Sequence, residues 1–237
     1  MKKLAIITGT GRGLGKSLAL SLINQGYTVF GYSRTNKISS TFFHFNKIDL
    51  GDPFQVKKIK LPCFDKDFEE VVLINNAATI GKILPITLKS QDDIIYEYNL
   101  NIIAPSLICS NFISSYTNSK KIIINISSGA ANHQIASWNN YCASKSALDM
   151  FTKVLEEEKH KNLKVFSVYP GVVDTTMQKE IRQAKPKFFP LLKKFLNYKQ
   201  ENKLEKPEIV ATKILYIIKN SHKISKNIVS VRDIDLN

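Results

Sequence analysis

The feature that most constrains the fold is a glycine-rich turn near the start of the chain. Four of the ten glycines in the 237 residues fall within Gly9–Gly15, between a short apolar run and a helical pattern. Glycine allows a tight turn and a close approach of the backbone to a ligand. A turn of this kind between a strand and a helix indicates the opening of a parallel α/β sheet.

The rest of the chain repeats this alternation of apolar runs and helical patterns. The runs predict strands at 2–8, 27–32, 42–48, 70–74, 122–126, 163–169 and 227–231. Long helical patterns cover 92–116, about 138–159 and 207–220, whereas 53–68 shows no clean period. We therefore expect one α/β domain over residues 1–237, a doubly wound parallel sheet of about seven strands with helices on both faces.

The composition limits the partners that the chain is expected to have. A net charge of +14 would suit nucleic acid, but 30 of the 34 basic residues are lysines scattered along the chain. This favours a solvated basic surface, without a nucleic-acid partner. The apolar runs are too short for a membrane span, and three cysteines without a CxxC motif favour reduced thiols, no metal and a cytoplasmic location.

The stretch from Lys121 to Lys145 suggests a chemistry. A predicted strand ends at Ser127-Ser128, and Tyr141 and Lys145 lie four residues apart at the start of a predicted helix. The Tyr141 phenol can give a proton to a carbonyl oxygen, the Lys145 ammonium lowers the pKa of a nearby phenol, and the Ser128 hydroxyl can hold that oxygen. Tyr-x-x-x-Lys alone is common in helices, but a serine 13 positions before the tyrosine makes the pattern more specific.

These residues carry a resemblance to a known family. The turn Thr8-Gly9-xxx-Gly13-x-Gly15, the motif Asn75-Asn76-Ala77, the Ser128/Tyr141/Lys145 set and Pro170-Gly171-xxx-Thr175 occur in that order. The chain resembles the short-chain dehydrogenases/reductases over essentially its whole length. Within that family it is most similar to the sepiapterin reductase-like branch with its bacterial benzil reductases.

The resemblance implies an NADPH-dependent carbonyl reductase that reduces a ketone or 1,2-diketone to an alcohol by hydride transfer. The implied catalytic residues are Asn101, Ser128, Tyr141 and Lys145. Asn101 would hold a water for a proton relay, and Asn99 is the other candidate for that role. The implied substrate contacts are Ser128, Trp138, Tyr141 and Met177, beneath a lid over about 174–205.

The same resemblance implies a site for NADP(H). Its residues are Gly9, Thr10, Arg12, Gly13, Leu14, Gly15, Ser33, Arg34, Asp49, Asn76, Ala77, Tyr141, Lys145, Pro170, Gly171, Val173 and Thr175. The carboxylate of Asp49 would bind the adenine amino group, although an N-cap or turn aspartate is an alternative. Arg12 and Arg34, with no acidic residue between Gly26 and Ile48, favour NADP over NAD.

Two other functions are weighed beside carbonyl reduction. A sepiapterin reductase would anchor the pterin on an aspartate near the C-terminus, where this chain has Ser230, with Asp233 and Asp235 as substitutes nearby. A non-catalytic NADP-binding protein would lack the tyrosine or the lysine, and both are present. By family analogy we expect a homodimer or homotetramer that acts on a small carbonyl compound.

Overall fold

The computed structural model describes residues 3–62 and 68–236. Within these ranges the strands form one seven-stranded sheet in which all neighbouring strands are parallel. The strands are β1 (Lys3–Thr8), β2 (Tyr27–Ser33), β3 (Phe43–Lys47), β4 (Glu70–Asn75), β5 (Lys120–Ile126), β6 (Leu163–Tyr169) and β7 (Ile228–Ser230). Their order, β3-β2-β1-β4-β5-β6-β7, confirms the predicted doubly wound sheet.

Helices cover both faces of the sheet. They are α1 (Gly13–Asn24), α2 (Pro53–Lys57), α3 (Gln91–Tyr98), α4 (Ala104–Ser115), α5 (Asn139–Glu157), α6 (Thr176–Ile181), α7 (Leu192–Gln200) and α8 (Pro207–Lys219). In β1, Ala5 and Ile7 join the core formed with α1 and α8, while Leu4 and Ile6 join the core on the α4 side. Because both faces are buried, the strands read as nearly continuous apolar runs.

The strand order reverses next to β1, which lies between β2 and β4. At this point the hydroxyl of Thr8 accepts hydrogen bonds from the backbone N–H groups of Asn76 (2.9 Å) and Ala77 (3.0 Å). The end of β1 is thereby fixed to the chain that follows β4. In open parallel sheets ligands bind in the crevice beside such a reversal, at the carboxyl ends of the strands.

The helix predicted over 92–116 is interrupted. Residues Asn99–Ile103 form a π-helical segment between α3 and α4. Pro105 has no N–H group and cannot donate to the carbonyl of Asn101 four residues earlier, so a regular α-helical ladder cannot pass this point. The π-helical turn absorbs the mismatch and buries Asn101.

The predicted lid is a folded excursion from the sheet. It contains α6 and α7, and its two ends are joined because Asp174 N donates to Glu205 O (2.8 Å) and Glu205 N donates to Val172 O (2.9 Å). Among the described residues, no helix is both long enough and apolar enough to span a bilayer.

The remaining expectations concern one short segment, the cysteines and the start of the first strand. The segment 53–68, predicted without a clear period, contains α2, which begins after an Asp52 side chain that caps it. Cys109 and Cys142 are free thiols, whereas Cys63 and Lys2 lie outside the described residues.

Candidate active site

A cavity of about 770 Å³ lies along the carboxyl ends of the strands and beneath the lid. Apart from Thr10 and Asn101, every residue that the sequence assigned to a site lines this cavity. Thr10 is fully buried, and its hydroxyl lies 3.2 Å from the hydroxyl of Ser33, which lines the cavity, so its place in the cofactor site stays a prediction.

Asn101 lies behind the cavity wall. Its Oδ1 accepts from Thr79 N (2.9 Å), and its Nδ2 donates to Thr79 O (2.9 Å) and to the Ser144 hydroxyl (3.2 Å). Ser144 precedes Lys145 on α5. The Asn101 side chain therefore holds the loop after β4 against the helix that carries Tyr141. Asn99, the other candidate for the relay, is half-buried.

Ser128 and Tyr141 meet at the end of β5. Tyr141 lies in the first turn of α5, close to the hydroxyl of Ser128, which accepts from Ala130 N (3.1 Å). Burial raises the pKa of Tyr141 to about 12, and the Ser128 hydroxyl offsets only part of this rise. The phenol is protonated at neutral pH, as a proton donor must be.

The expectation that Lys145 keeps the pKa of Tyr141 low is wrong for this arrangement, because burial of the phenol raises that pKa by more than its neighbours lower it. The Lys145 Nζ atom is 5.8 Å from the centre of the Tyr141 ring and donates to the backbone oxygen of Ile126 (2.7 Å). Burial lowers the pKa of Lys145 to about 8, and the carboxylate of Asp149 opposes that shift. The ammonium is thus the more easily titrated member of the pair.

Asp149 was not identified from the sequence. It is buried on α5, one turn beyond Lys145, and accepts hydrogen bonds from the hydroxyls of Ser167 (2.5 Å) and Tyr169. Tyr169 lines the cavity and in turn accepts from Asn132 Nδ2 (2.8 Å). The spacing of four residues from Lys145 was the available signal, since residues at i and i+4 share a helix face.

The glycine-rich turn forms a cradle that side chains would fill. A Cβ on Gly15 would lie 2.2 Å from Gly9 O, and a Cβ on Gly11 would lie 2.5 Å from the hydroxyl oxygen of Thr35. Helix α1 begins here with no side-chain cap and no acidic residue in its first turn. Its N–H groups and positive dipole end suit a pyrophosphate, so these residues fit a dinucleotide cofactor.

Two arginines flank the same end of the cavity. Arg12 follows Gly11 and Arg34 precedes Thr35, and a Cβ on Gly11 would lie 2.5 Å from the Thr35 hydroxyl oxygen. The side chains of the two arginines are 64% and 63% exposed. Arg12 lies 3.6 Å from the Glu180 carboxylate.

Asp49 lies beside the second of these arginines. Arg34 donates to Tyr96 Oη (3.2 Å), which donates to Asp49 Oδ1 (3.1 Å). Asp49 also accepts from Gly51 N (2.9 Å), as a turn aspartate does, and the N-cap of α2 is Asp52. Thr35 and Tyr96 line this end of the cavity and were not identified from the sequence.

The other end of the cavity has an aromatic wall. Trp138 is buried, stacks on Phe189 of the lid with ring centres 5.5 Å apart, and meets the Tyr141 ring edge-on at 5.5 Å. Phe195 of α7 packs on the same indole at 5.4 Å, and Met177 adds a partly buried side chain. The lid thereby builds an apolar surface next to the phenol.

The C-terminal segment closes this end with a basic side chain. Ser230 and Arg232 line the cavity, and the Ser230 hydroxyl accepts from Arg232 N (3.2 Å). Asp233 and Asp235 are exposed, and neither is among the described residues that form the cavity wall.

Comparison with known proteins agrees with this geometry. The family model for short chain dehydrogenases matches residues 3–186. A benzil reductase ((S)-benzoin forming) of Bacillus cereus is 34% identical over 229 residues, which cover 90% of this chain and 92% of the relative. A sepiapterin reductase of Xenopus tropicalis is 26% identical and covers 91% of this chain and 90% of its own.

A solved short-chain dehydrogenase/reductase structure from Saccharomyces cerevisiae superposes with a TM-score of 0.81. It is 23% identical in sequence and covers 98% of this chain and 96% of that one, which supports the fold. Members of the matched family bind nicotinamide cofactors. The chain therefore belongs to the short-chain dehydrogenase/reductase family and is an oxidoreductase acting on CH–OH and C=O groups.

Proposed function

We propose that the protein is an NADPH-dependent carbonyl reductase whose substrate is a ketone or 1,2-diketone with bulky apolar flanks. One observation carries this proposal: Ser128, Tyr141 and Lys145 line a single cavity whose neighbouring wall is the apolar cluster around Trp138. A carbonyl group seated at the two hydroxyls would leave its apolar substituents against that cluster.

The residues of this chain account for the polar half of the reaction. The Ser128 hydroxyl donates to the substrate oxygen and stabilises the negative charge that develops there. The Tyr141 phenol, protonated because it is buried, gives its proton to the same oxygen. When bound, the nicotinamide cofactor supplies the hydride for the carbonyl carbon. The lid restricts water around these groups.

Lys145 and Asn101 support this step. In the proposal the Lys145 ammonium binds the nicotinamide ribose hydroxyls and stabilises negative charge on the phenol after the proton has left. Asn101 aligns Thr79 and Ser144 around the lysine, and its backbone carbonyl, which Pro105 cannot serve, is the candidate group for a relay water.

The preference for NADPH rests on the charges at the adenosine end. Arg12 and Arg34 present exposed guanidinium groups there, and β2 is followed by Arg34 where NAD-binding sheets have a carboxylate. The carboxylate of the nearby Asp49 accepts hydrogen bonds from Tyr96 and Gly51. In the proposal the same carboxylate also binds the adenine amino group.

The cavity favours a diketone over a pterin. The anchoring carboxylate expected for a pterin is replaced by Ser230, and the charge beside it is the cation Arg232. A cation repels the guanidine-like edge of a pterin, and a serine hydroxyl cannot form the charge-assisted pair. The relative in Bacillus cereus that is named for benzil reduction supports the same choice.

A side-by-side assay tests this proposal. Benzil and sepiapterin are each offered to the purified protein with NADPH, and cofactor oxidation is followed by absorbance. We expect a higher kcat/KM for benzil. A clear preference for sepiapterin would replace the diketone reading with the pterin one, and Asp233→Ala would then show whether that carboxylate is the anchor.

We also propose that the protein self-associates. Ile95, Ile103, Met150 and Val154 are exposed apolar residues on the run from α3 to α4 and on α5. Apolar side chains on neighbouring long helices suit a homodimer or homotetramer interface. Light scattering at assay concentration should give twice or four times the 26.8 kDa chain mass, and a monomer would contradict the proposal.

A further inference from the structure

We propose that Glu97, paired with Lys89, is a positioning residue for Tyr141 and acts through Asn140. The inference rests on the proposed function, in which Tyr141 donates the proton. None of the three residues lines the cavity, so the effect must pass through the N-terminal turn of α5.

The carboxylate of Glu97 joins three separate segments of the chain. Its Oε2 accepts from Lys89 Nζ (2.6 Å) and from Asn140 Nδ2 (2.7 Å), and its Oε1 accepts from Lys82 N (2.9 Å). The donors come from the loop after β4, from the residues before α3 and from the first turn of α5. Glu97 itself lies on α3, so one group ties that helix to all three.

The pair is fully enclosed. The Lys89 and Glu97 side chains are 0% and 4% exposed, whereas every other ion pair between two described residues has one partner that is at least 46% exposed. Burying two charges costs desolvation free energy that their attraction only partly recovers. A buried pair therefore contributes little net stability. Its role is instead to hold the groups that it contacts in one arrangement.

The catalytic helix needs such a support at this end. Trp138, at the N-cap position of α5, makes no side-chain capping hydrogen bond, and Tyr141 follows within the first turn. Asn140 is buried next to Tyr141 and reaches the Glu97 carboxylate. The position of the phenol is thus coupled to the buried carboxylate through one residue.

The loop that borders the cavity is built around the same carboxylate. Gly81 has a φ of +68°, and a Cβ there would lie 1.9 Å from Glu97 Oε1. One turn further along, Asn101 holds Thr79 and Ser144. Glu97 and Asn101 therefore act as two successive clamps between the loop after β4 and α5.

The test removes the link and keeps the ion pair. Asn140→Ala is compared with Asn111→Ala, which also loses one long-range hydrogen bond (to Ile59 O, 3.0 Å) but lies on α4 and does not line the cavity. We expect kcat for the best carbonyl substrate to fall about 100-fold in Asn140→Ala, the scale of a small misplacement, with NADPH affinity nearly unchanged. Asn111→Ala should retain kcat.

A second readout needs no turnover. Trp138 is the single tryptophan of the chain and touches the Tyr141 ring, so acrylamide quenching of its fluorescence reports on this end of α5. Quenching should rise in Asn140→Ala and stay at the wild-type level in Asn111→Ala. If the wild type reduced no carbonyl compound, the proposed function would fail while this readout still tested the positioning.

A donor–acceptor exchange provides the rescue. Asn140→Asp places two carboxylates together and should lower kcat more than Asn140→Ala does. Adding Glu97→Gln restores an amide–carboxylate pair with a negative charge available to Lys89, and should recover part of kcat. The exchange also tests the proposal if Asn140→Ala does not fold. Wild-type kcat and quenching in folded Asn140→Ala, or no recovery in the folded exchange variant, would overturn it.

Discussion

At the scale of single residues, burial sets the protonation of the two groups that matter most. The phenol of Tyr141 is pushed towards its neutral form, with a pKa of about 12, and the ammonium of Lys145 is pushed towards its own neutral form, with a pKa of about 8. Near neutral pH the tyrosine holds its proton and most of the lysine is charged. As the pH rises above 8, Lys145 loses its proton before Tyr141 does.

The pH dependence of NADPH use should follow Lys145. Its pKa is lowered, so the group is charged below about pH 8 and neutral above it. We expect kcat/KM for NADPH, which reports groups of the free enzyme, to decline as the pH rises through this value. Asp149→Asn removes the charge that opposes the shift and should move the decline to lower pH. A profile that stays flat to pH 10 would contradict this role of Lys145.

The cofactor preference should depend on Arg12 and Arg34. Replacing both with glutamine removes the cations available to a 2′-phosphate and should lower kcat/KM for NADPH much more than for NADH. Arg232→Gln is the matched control, because Arg232 lines the cavity beside Ser230 and Gly171 and should leave the ratio unchanged. Equal kcat/KM for the two cofactors in the wild type would show that the arginines do not select.

At the scale of elements, α5 and the lid divide the work. Helix α5 carries Tyr141 and Lys145 on one face, and Trp138 at its N-cap position contacts the lid. The lid returns to its starting point beside Val173, so it is anchored at its base and contacts the site through a few aromatic rings. In the proposed function, substrate selection is therefore concentrated in the lid, and proton transfer in α5.

Phe189 should couple lid packing to substrate affinity. Its ring is 1% exposed and stacks on Trp138, so Phe189→Ala should destabilise the protein by about 3 kcal/mol and raise KM for the carbonyl substrate. Denaturant unfolding and steady-state kinetics measure the two effects. Phe188→Ala, at the half-buried neighbouring ring, is the control. An unchanged KM in Phe189→Ala would place substrate contacts elsewhere.

At the scale of the whole molecule, the sequence predicts the fold well because local apolar and helical patterns determine where the strands and helices lie. Apolar runs and helix signals placed all seven strands, and the strand ends brought Gly9, Ser128 and Gly171 to one edge. The π-helical segment at Asn99–Ile103 was missed, because a proline in a helical pattern signals an interruption without specifying its form.

The parts of the site that sequence analysis missed are set by tertiary contacts. Asn140 is 43 residues from Glu97 in the chain, and Lys89, eight residues before Glu97, precedes the start of α3, so no helical spacing relates the three residues. The direction of the Tyr141 pKa was also mispredicted, because a helical spacing shows which groups are neighbours but not how much water they lose.

The assignment of proton donation to Tyr141 distinguishes a carbonyl reductase from a protein that only binds NADP. The decisive measurement compares wild type and Tyr141→Phe in benzil reduction, followed by NADPH absorbance, with NADPH binding titrated by fluorescence on the same samples. We expect turnover to fall by at least about 100-fold, the contribution of a positioned general acid, while the Kd for NADPH stays nearly unchanged. Near-wild-type turnover in Tyr141→Phe would contradict the proposed mechanism.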